Sequence, residues 1–96
     1  PSKYIGENKK MYVILIYDVN VERVNTVMKI CREFLHHIQN SVFEGEITQS
    51  NYKELQRRIR GVVNEKVDSV IIYNLWNSNF KRGVIGVEKN TIDNII

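Results

Sequence analysis

The chain has 96 residues, of which 43% are hydrophobic and 26% are charged, and its formal net charge is +3. A chain of this length and composition makes one ordinary globular domain. No apolar run approaches the roughly 20 residues that cross a bilayer, and no secretory signal is recognisable, so we expect a cytoplasmic protein without a membrane partner.

Positive charge is concentrated at the amino end of the chain. Residues 1–10 contain three lysines and one glutamate, whereas residues 11–96 contain 11 basic and 10 acidic side chains. The bulk charge therefore gives little indication of nucleic-acid binding, and local clusters of charge have to carry that argument. We interpret residues 1–10 as a flexible leader or a remnant of cloning, and residues 11–96 as a single domain.

The first half of the domain predicts a strand followed by a helix. Residues 11–17 are a continuous apolar and aromatic run that ends abruptly at Asp18, which is typical of a central strand covered on both faces. Asn20 is placed to cap a helix, in which apolar residues recur at spacings of three and four up to Ile38. The single cysteine, Cys31, lies in this apolar stripe, which predicts core packing and excludes an internal disulfide.

The second half of the domain predicts further strands around one more helix. Residues 38–47 are interpreted as extended structure, either one bent strand or two short strands that turn near Asn40. Thr48 is placed to cap the second helix. Residues 69–75 predict another strand, and residues 84–87 predict a short fifth strand.

This order of elements predicts an α+β domain on the ferredoxin-like βαββαβ plan, with an extra C-terminal strand. In that plan the first and last core strands lie side by side and antiparallel in the middle of the sheet. Asp18, at the end of the first strand, is therefore expected near Asp68 and Ser69, at the beginning of the last core strand.

Asp18 is the candidate metal ligand, because a carboxylate that directly follows a buried strand is rigidly held. One carboxylate is a poor Mg²⁺ site, since that ion draws on one or two carboxylates together with substrate phosphates and water. Two subunits that face each other through this edge would supply a pair of Asp18 side chains. The alternative is that Asp18 only ends the strand or caps the helix.

The neighbours of Asp18 are open to two interpretations. Tyr17 either points into the core or forms a stacking and hydrogen-bonding platform beside the catalytic Asp18. Asp68 and Ser69 are either turn and capping residues or support for the site.

Two groups of basic residues are candidates for phosphate contacts. Lys53, Arg57 and Arg60 follow spacings of four and three, so they share one face of the second helix. A plain solvated helix face explains the same pattern. Lys81 and Arg82, which we place in a loop after Trp76, are further candidates.

Three stretches together resemble the CRISPR-associated protein 2 family. They are MYVILIYD at residues 11–18, QNSVFEGE at residues 39–46 and DSVIIY at residues 68–73. The motifs fall in order at separations similar to those of the family, and the resemblance covers the chain from Met11 to its end.

The resemblance implies a ferredoxin-like homodimer whose C-terminal strands pack onto the partner subunit, with Asp18 paired with its symmetry mate at a Mg²⁺ site. Members of the family are described as Mg²⁺-dependent endonucleases that cleave single-stranded RNA or duplex DNA. They also serve as the adaptor that binds the CRISPR integrase, CRISPR-associated protein 1, during spacer capture in antiviral defence. Tyr17, Arg23 and Phe43 match positions that the family associates with function, and we expect Tyr17 to be catalytic, Arg23 to contact nucleic acid and Phe43 to support the site or the core.

This chain departs from the family pattern at two positions. Asn25 stands where members often carry a second basic residue early in the first helix, and His37 stands where many have arginine. Both changes reduce the expected phosphate contacts, which bears on the strength of nuclease activity and leaves the fold unaffected.

Two functions follow, a metal-dependent phosphodiesterase centred on paired Asp18 and a non-catalytic adaptor that holds DNA with its basic helices. A small-ligand regulatory domain has little support, because no glycine-rich ligand loop is present. RNA-recognition modules share this fold, but this chain lacks the glycine-and-aromatic pattern of their RNA-binding strand. The small core and the apolar tail residues Ile92, Ile95 and Ile96 favour a homodimer.

Overall fold

The computed structural model describes residues 9–76 and 79–87, with side chains for residues 9–75 and 82–87. Its elements in chain order are β1 (Lys10–Asp18), α1 (Val21–Phe34), β2 (His36–Gln39), β3 (Val42–Thr48), α2 (Gln49–Arg60), β4 (Ser69–Trp76) and β5 (Asn79–Gly86). Most of the predicted leader and the tail residues Ile92, Ile95 and Ile96 lie outside the described residues.

The strands form one antiparallel sheet in the order β2-β3-β1-β4-β5. β1 lies at its centre between β3 and β4, and β5 extends the sheet beyond β4. This arrangement confirms the ferredoxin-like plan with an extra C-terminal strand. It also confirms the predicted neighbourhood of Asp18, which is paired with Ser69 across β1 and β4.

The stretch between the helices forms two strands, which resolves the alternative left open by its sequence. β2 and β3 are joined at Asn40, whose positive φ of 43° makes the tight turn. α1 ends at Phe34, earlier than its apolar spacing predicts, because Leu35 is already extended with φ −133° and ψ 171°. Ile38, predicted as the last apolar residue of the helix, therefore lies in β2 and is exposed.

The predicted loop after Trp76 is wrong, because residues 79–86 pair with β4 along its whole length. Lys81 and Arg82 belong to this strand, opposite Asn74 and Tyr73. Charged residues and a glycine interrupt the apolar pattern of β5, so its sequence alone does not predict a strand. This strand forms because it pairs with the edge of β4. β5 pairs with β4 of the same chain, and the packing of C-terminal strands on a partner subunit, which the resemblance implies, stays a prediction.

Both helices pack against one face of the sheet. The main core consists of alternate strand residues on that face together with residues of both helices, among them Val13, Leu15, Cys31, Leu55 and Val70. A second, smaller cluster made of strand residues alone lies on the other face: Ile16, Ile71 and Tyr73, with Ile14 and Val42 half-buried beside it. Within the described ranges, no helix is long and apolar enough to cross a membrane.

The two predicted helix caps behave differently. The Thr48 hydroxyl accepts a hydrogen bond from the Asn51 backbone N–H at 3.1 Å, which confirms Thr48 as the cap of α2. Asn20 occupies the cap position of α1, but its side chain makes no capping hydrogen bond. The predicted capping by the Asn20 side chain is therefore wrong, and the backbone N–H of Asn20 instead donates to Asp68.

Candidate active site at the end of the central strand

Asp18 is the last residue of β1, where the central strand leaves the sheet, and it is exposed. Because side chains alternate along a strand, Asp18 lies on the same face as Ile14 and Ile16, the face that carries the smaller apolar cluster. Its partner across the sheet, Ser69, lies on that face as well. The structure therefore holds a carboxylate on the sheet face opposite the helices.

Tyr17 points to the helix side of the sheet, away from Asp18. Its side chain is only 3% exposed, and its ring stacks on Phe43 with 6.1 Å between the ring centroids. Burial raises the pKa of Tyr17 above its usual value. Phe43, fully buried, also stacks on the ring of His37 at 4.6 Å. Tyr17 and Phe43 are therefore core residues here, and their catalytic and supporting roles stay predictions.

Asp68 is fully buried, and its carboxylate accepts four hydrogen bonds. Its two carboxylate oxygens receive the backbone N–H of Asn20 at 3.0 Å and of Asn64 at 2.8 Å, together with Nε and Nη2 of Arg23 at 2.6 and 2.9 Å. The hydrogen bonds from Arg23 are the main reason that the pKa of Asp68 lies well below its usual range. Asp68 is therefore a buried, charged residue directly before Ser69, which pairs with Asp18.

Arg23 is engaged by carboxylates through each nitrogen of its guanidinium group. Nε and Nη2 bind Asp68, and Nη1 contacts Glu22 at 3.2 Å. The side chain is only 20% exposed. Carboxylates use three of its five N–H groups, so the main role that the structure shows for Arg23 is to hold Asp68, and its predicted nucleic-acid contact stays a prediction.

A close backbone contact completes the surroundings of Asp68. The backbone N–H of Val87 donates to the Asp68 carbonyl oxygen at 3.0 Å, just after β5 ends. Gly86 has a φ of +90°, and a Cβ at this position would collide with the same carbonyl oxygen. Only glycine fits here without strain. The end of β1, the start of β4 and the end of β5 therefore all lie close to Asp68.

Three basic residues lie exposed on the outer surface of α2: Lys53, Arg57 and Arg60. Arg57 donates two hydrogen bonds to Glu54, at 3.0 and 2.6 Å, whereas Lys53 and Arg60 make no hydrogen bond or ion pair with the described part of the chain. Two of the three predicted phosphate contacts are therefore available for a ligand. Arg82 is exposed on β5, and the side chain of Lys81 lies outside the described side chains.

A metal at this site would depend on Asp18 and its surroundings. Within residues 9–76 and 79–87, no three His, Cys, Asp or Glu side chains come together as a metal site. Ser69 beside Asp18 is 1% exposed, and its buried hydroxyl oxygen has no hydrogen-bond partner among the described residues. The exposed Asp18 carboxylate fits hydrated Mg²⁺, which takes oxygen ligands and keeps several waters. In the part of the chain that the structure describes, Asp18 is the carboxylate that each chain would supply to such an ion.

The family model of the CRISPR associated protein Cas2 matches residues 11–82. The chain belongs to the Cas2 family. It is 51% identical over 86 residues to a protein of Thermococcus kodakarensis named CRISPR-associated endoribonuclease Cas2, a match that covers 90% of this chain and all of that protein. A protein of Methanocaldococcus jannaschii with the same name is 47% identical over 92 residues, covering 94% of this chain and 80% of the relative.

Solved Cas2 structures share the fold. A crystal structure of a Cas2 protein superposes with a TM-score of 0.69 at 46% identity, covering 85% of this chain and 93% of the other. Cas2 of Streptococcus pyogenes, crystallised at pH 6.5, gives a TM-score of 0.58 at 26% identity and covers 90% of this chain and 95% of that one. The Cas2 membership predicted from the three motifs is confirmed.

The Arg23–Asp68 ion pair was not predicted from the sequence, although both residues were candidates. They are 45 residues apart, so no local spacing connects them. A signal did exist in the topology, because the ferredoxin-like plan brings the start of β4 next to the end of β1. That plan predicts that Asp68 approaches the N-terminus of α1, where a carboxylate is favoured.

Proposed function

We propose that this chain is a metal-dependent endonuclease that cleaves single-stranded RNA, duplex DNA or both as a homodimer, and that it takes part in CRISPR spacer acquisition. The observation that carries the proposal is the exposed carboxylate of Asp18 at the end of the central strand, on the sheet face without helices. The name endoribonuclease, which relatives carry, supports RNA as a substrate.

A second copy of the chain would pack on the sheet face that carries Asp18. The apolar cluster of Ile16, Ile71 and Tyr73 lies there, and Tyr12 and Val84, both on that face, are exposed large hydrophobic residues. Apolar surface of this kind stabilises association. A two-fold interface joins the same patch of both copies, so it would bring the two Asp18 carboxylates toward each other.

The dimer is tested by light scattering in physiological salt, with an expected mass of twice the 11.3 kDa of one chain. Val84→Glu should produce monomers, because two like charges would meet in the interface. Val21→Glu is the matched control, since Val21 is 83% exposed on α1 and away from the sheet. A monomeric wild type at micromolar concentration would contradict both the dimer and the shared site.

The chemistry assigned to the chain's residues is simple. The two Asp18 carboxylates would hold Mg²⁺ by charge. When bound, the ion would polarise the phosphodiester as a Lewis acid and would lower the pKa of a water. The position of Asp18 at the end of a central strand keeps this carboxylate fixed while the substrate binds.

Lys53, Arg57 and Arg60 on α2 are the proposed contacts with the nucleic-acid backbone. Removing one phosphate contact should lower the slope of log K against log salt concentration by roughly 0.7 to 0.9. We expect Lys53→Gln and Arg60→Gln to lower it by this amount, and Arg57→Gln by less, because Glu54 already neutralises Arg57. An unchanged slope in the triple variant would assign these residues to solvation alone.

The nuclease activity is tested with labelled single-stranded RNA and duplex DNA in Mg²⁺ or EDTA. The wild type should cleave in Mg²⁺ only, and Asp18→Asn should fall to background with its melting temperature and affinity nearly unchanged. Glu65→Gln is the matched control, an exposed acid in the turn before β4, and should cleave as the wild type does. Cleavage by Asp18→Asn at the wild-type rate would remove Asp18 from the mechanism.

A non-catalytic adaptor is the second candidate, favoured by the available basic side chains of Lys53 and Arg60 on a helix surface. In this function the dimer binds the CRISPR integrase and holds DNA without cutting it. A wild-type protein that binds duplex DNA with a strong salt dependence, yet cleaves nothing in Mg²⁺ or Mn²⁺, would establish the adaptor over the nuclease.

A further inference from the structure

Asp68 and the residue after it contact the backbone at Asp18 and just beyond it. β1 ends at Asp18, which pairs with Ser69, the residue that follows Asp68. Two residues after Asp18, the backbone N–H of Asn20 donates to the Asp68 carboxylate at 3.0 Å. The direction of the Asp18 side chain therefore depends on a backbone segment held at both ends by residues 68 and 69.

Arg23 holds the Asp68 carboxylate in the orientation that this contact requires. The guanidinium group meets the two carboxylate oxygens with separate nitrogens, Nε at 2.6 Å and Nη2 at 2.9 Å. Such a fork fixes the plane of the carboxylate as well as its position. With Nη1 directed at Glu22, three of the five N–H groups of Arg23 bind carboxylates, and the side chain is only 20% exposed.

We propose that Asp68 and Arg23 form a positioning pair that fixes Asp18 for the reaction, and that Arg23 acts through Asp68 without contacting a phosphate. The inference rests on the proposed nuclease function. Neither residue touches the substrate, so both act through the backbone on either side of Asp18. The pair would set the rate of cleavage and leave the affinity for nucleic acid unchanged.

Three variants test the pair: Asp68→Asn, Arg23→Lys and, as the matched control, Glu33→Gln. Glu33 also binds an arginine from another element through two hydrogen bonds, at 2.6 and 2.8 Å, but lies on the exposed surface between the helices. Steady-state cleavage, the salt dependence of binding and circular dichroism are measured on each preparation, below the melting temperature of every variant.

We expect Asp68→Asn and Arg23→Lys to lower kcat about 10- to 100-fold, with KM and the salt slope at wild-type values. Lysine keeps the charge of Arg23 but loses the fork, so a residue that contacted phosphate would tolerate this change. Glu33→Gln should match the wild type throughout. Wild-type kcat in both variants, or a reduction in Arg23→Lys confined to KM and the salt slope, would overturn the inference.

The failure of the proposed function gives a different result. If the wild type does not cleave, or Asp18→Asn cleaves as fast as the wild type, the nuclease proposal fails. Amide hydrogen exchange then measures whether Asp68 holds the backbone at Asp18. Asp68→Asn should then accelerate exchange at Asp18 and Val19 at least about tenfold more than in α2. Equal acceleration throughout the chain would show that the pair contributes only to overall stability and would overturn the inference.

Discussion

Replacing Asp68 with alanine should lower the free energy of unfolding by about 3 kcal/mol. Removal of one partner of a buried ion pair costs about 3–5 kcal/mol, and here the backbone N–H groups of Asn20 and Asn64 lose their acceptor as well. We take the lower end of the range because the Arg23 side chain is 20% exposed, so water solvates it after the change. In a domain of this size the melting temperature falls by about 12–24 °C.

The destabilisation should depend on pH with a definite sign. Arg23 first, and then the amides of Asn64 and Asn20, hold the pKa of Asp68 in the folded protein well below its usual range. In the unfolded chain this pKa returns to about 3.9. The carboxylate therefore stabilises the fold fully at pH values well above 4, and its contribution is lost as the pH falls from there toward the folded-state pKa. The difference between wild type and Asp68→Ala should narrow in the same direction.

Urea unfolding followed by circular dichroism between about pH 2.5 and 7 measures both effects. All proteins are compared at one concentration, because a dimer unfolds in a concentration-dependent manner. Glu33→Ala, which removes an exposed carboxylate that also binds an arginine, should cost less than about 1 kcal/mol. A cost below about 1 kcal/mol for Asp68→Ala, or the same cost at pH 3 and pH 7, would refute the reasoning.

Three further predictions follow from the fold. Gly86→Ala should lower the free energy of unfolding by about 3 kcal/mol, because φ is +90° and the new methyl group would collide with the Asp68 carbonyl oxygen. Gly61→Ala, at φ −71°, is the control and should be neutral or slightly stabilising in the same urea titration. Equal costs for the two variants would contradict this prediction. Thr48→Ala should cost about 1 kcal/mol by loss of its cap, whereas Asn20→Ala, whose side chain makes no cap bond, should cost under about 0.5 kcal/mol. Burial raises the pKa of Cys31 to about 12, so iodoacetamide should modify it at pH 8 only in the unfolded chain, and rapid modification of the folded protein would contradict its burial.

The sequence predicted those parts of the fold that rest on strong local patterns. The apolar run of β1 and the Thr48 cap are local, and the right-handed crossover rule converts the order of elements into the pairing of Asp18 with Ser69. β5 was only partly predicted, because its first half depends on pairing with β4 and carries no apolar alternation. The Cas2 motifs added the family and left these details open.

The direction of each side chain along β1 could not be predicted. Residues 11–17 are apolar at every position, so the sequence does not tell which residues face the helices. The structure places Tyr17 in the core and Asp18 on the opposite face. The ion pair of Arg23 and Asp68 escaped prediction for a different reason, since it joins two elements through tertiary structure alone.

The central claim is that two copies of the chain share one site built on Asp18. The most direct measurement mixes wild-type and Asp18→Asn chains in urea, refolds them together and follows Mg²⁺-dependent RNA cleavage against the fraction of wild type. If each site needs both carboxylates, activity falls with the square of that fraction, so an equal mixture retains about one quarter of the wild-type rate. Activity that falls linearly, with about one half remaining in the equal mixture, would contradict the shared site, because each chain would then cleave on its own.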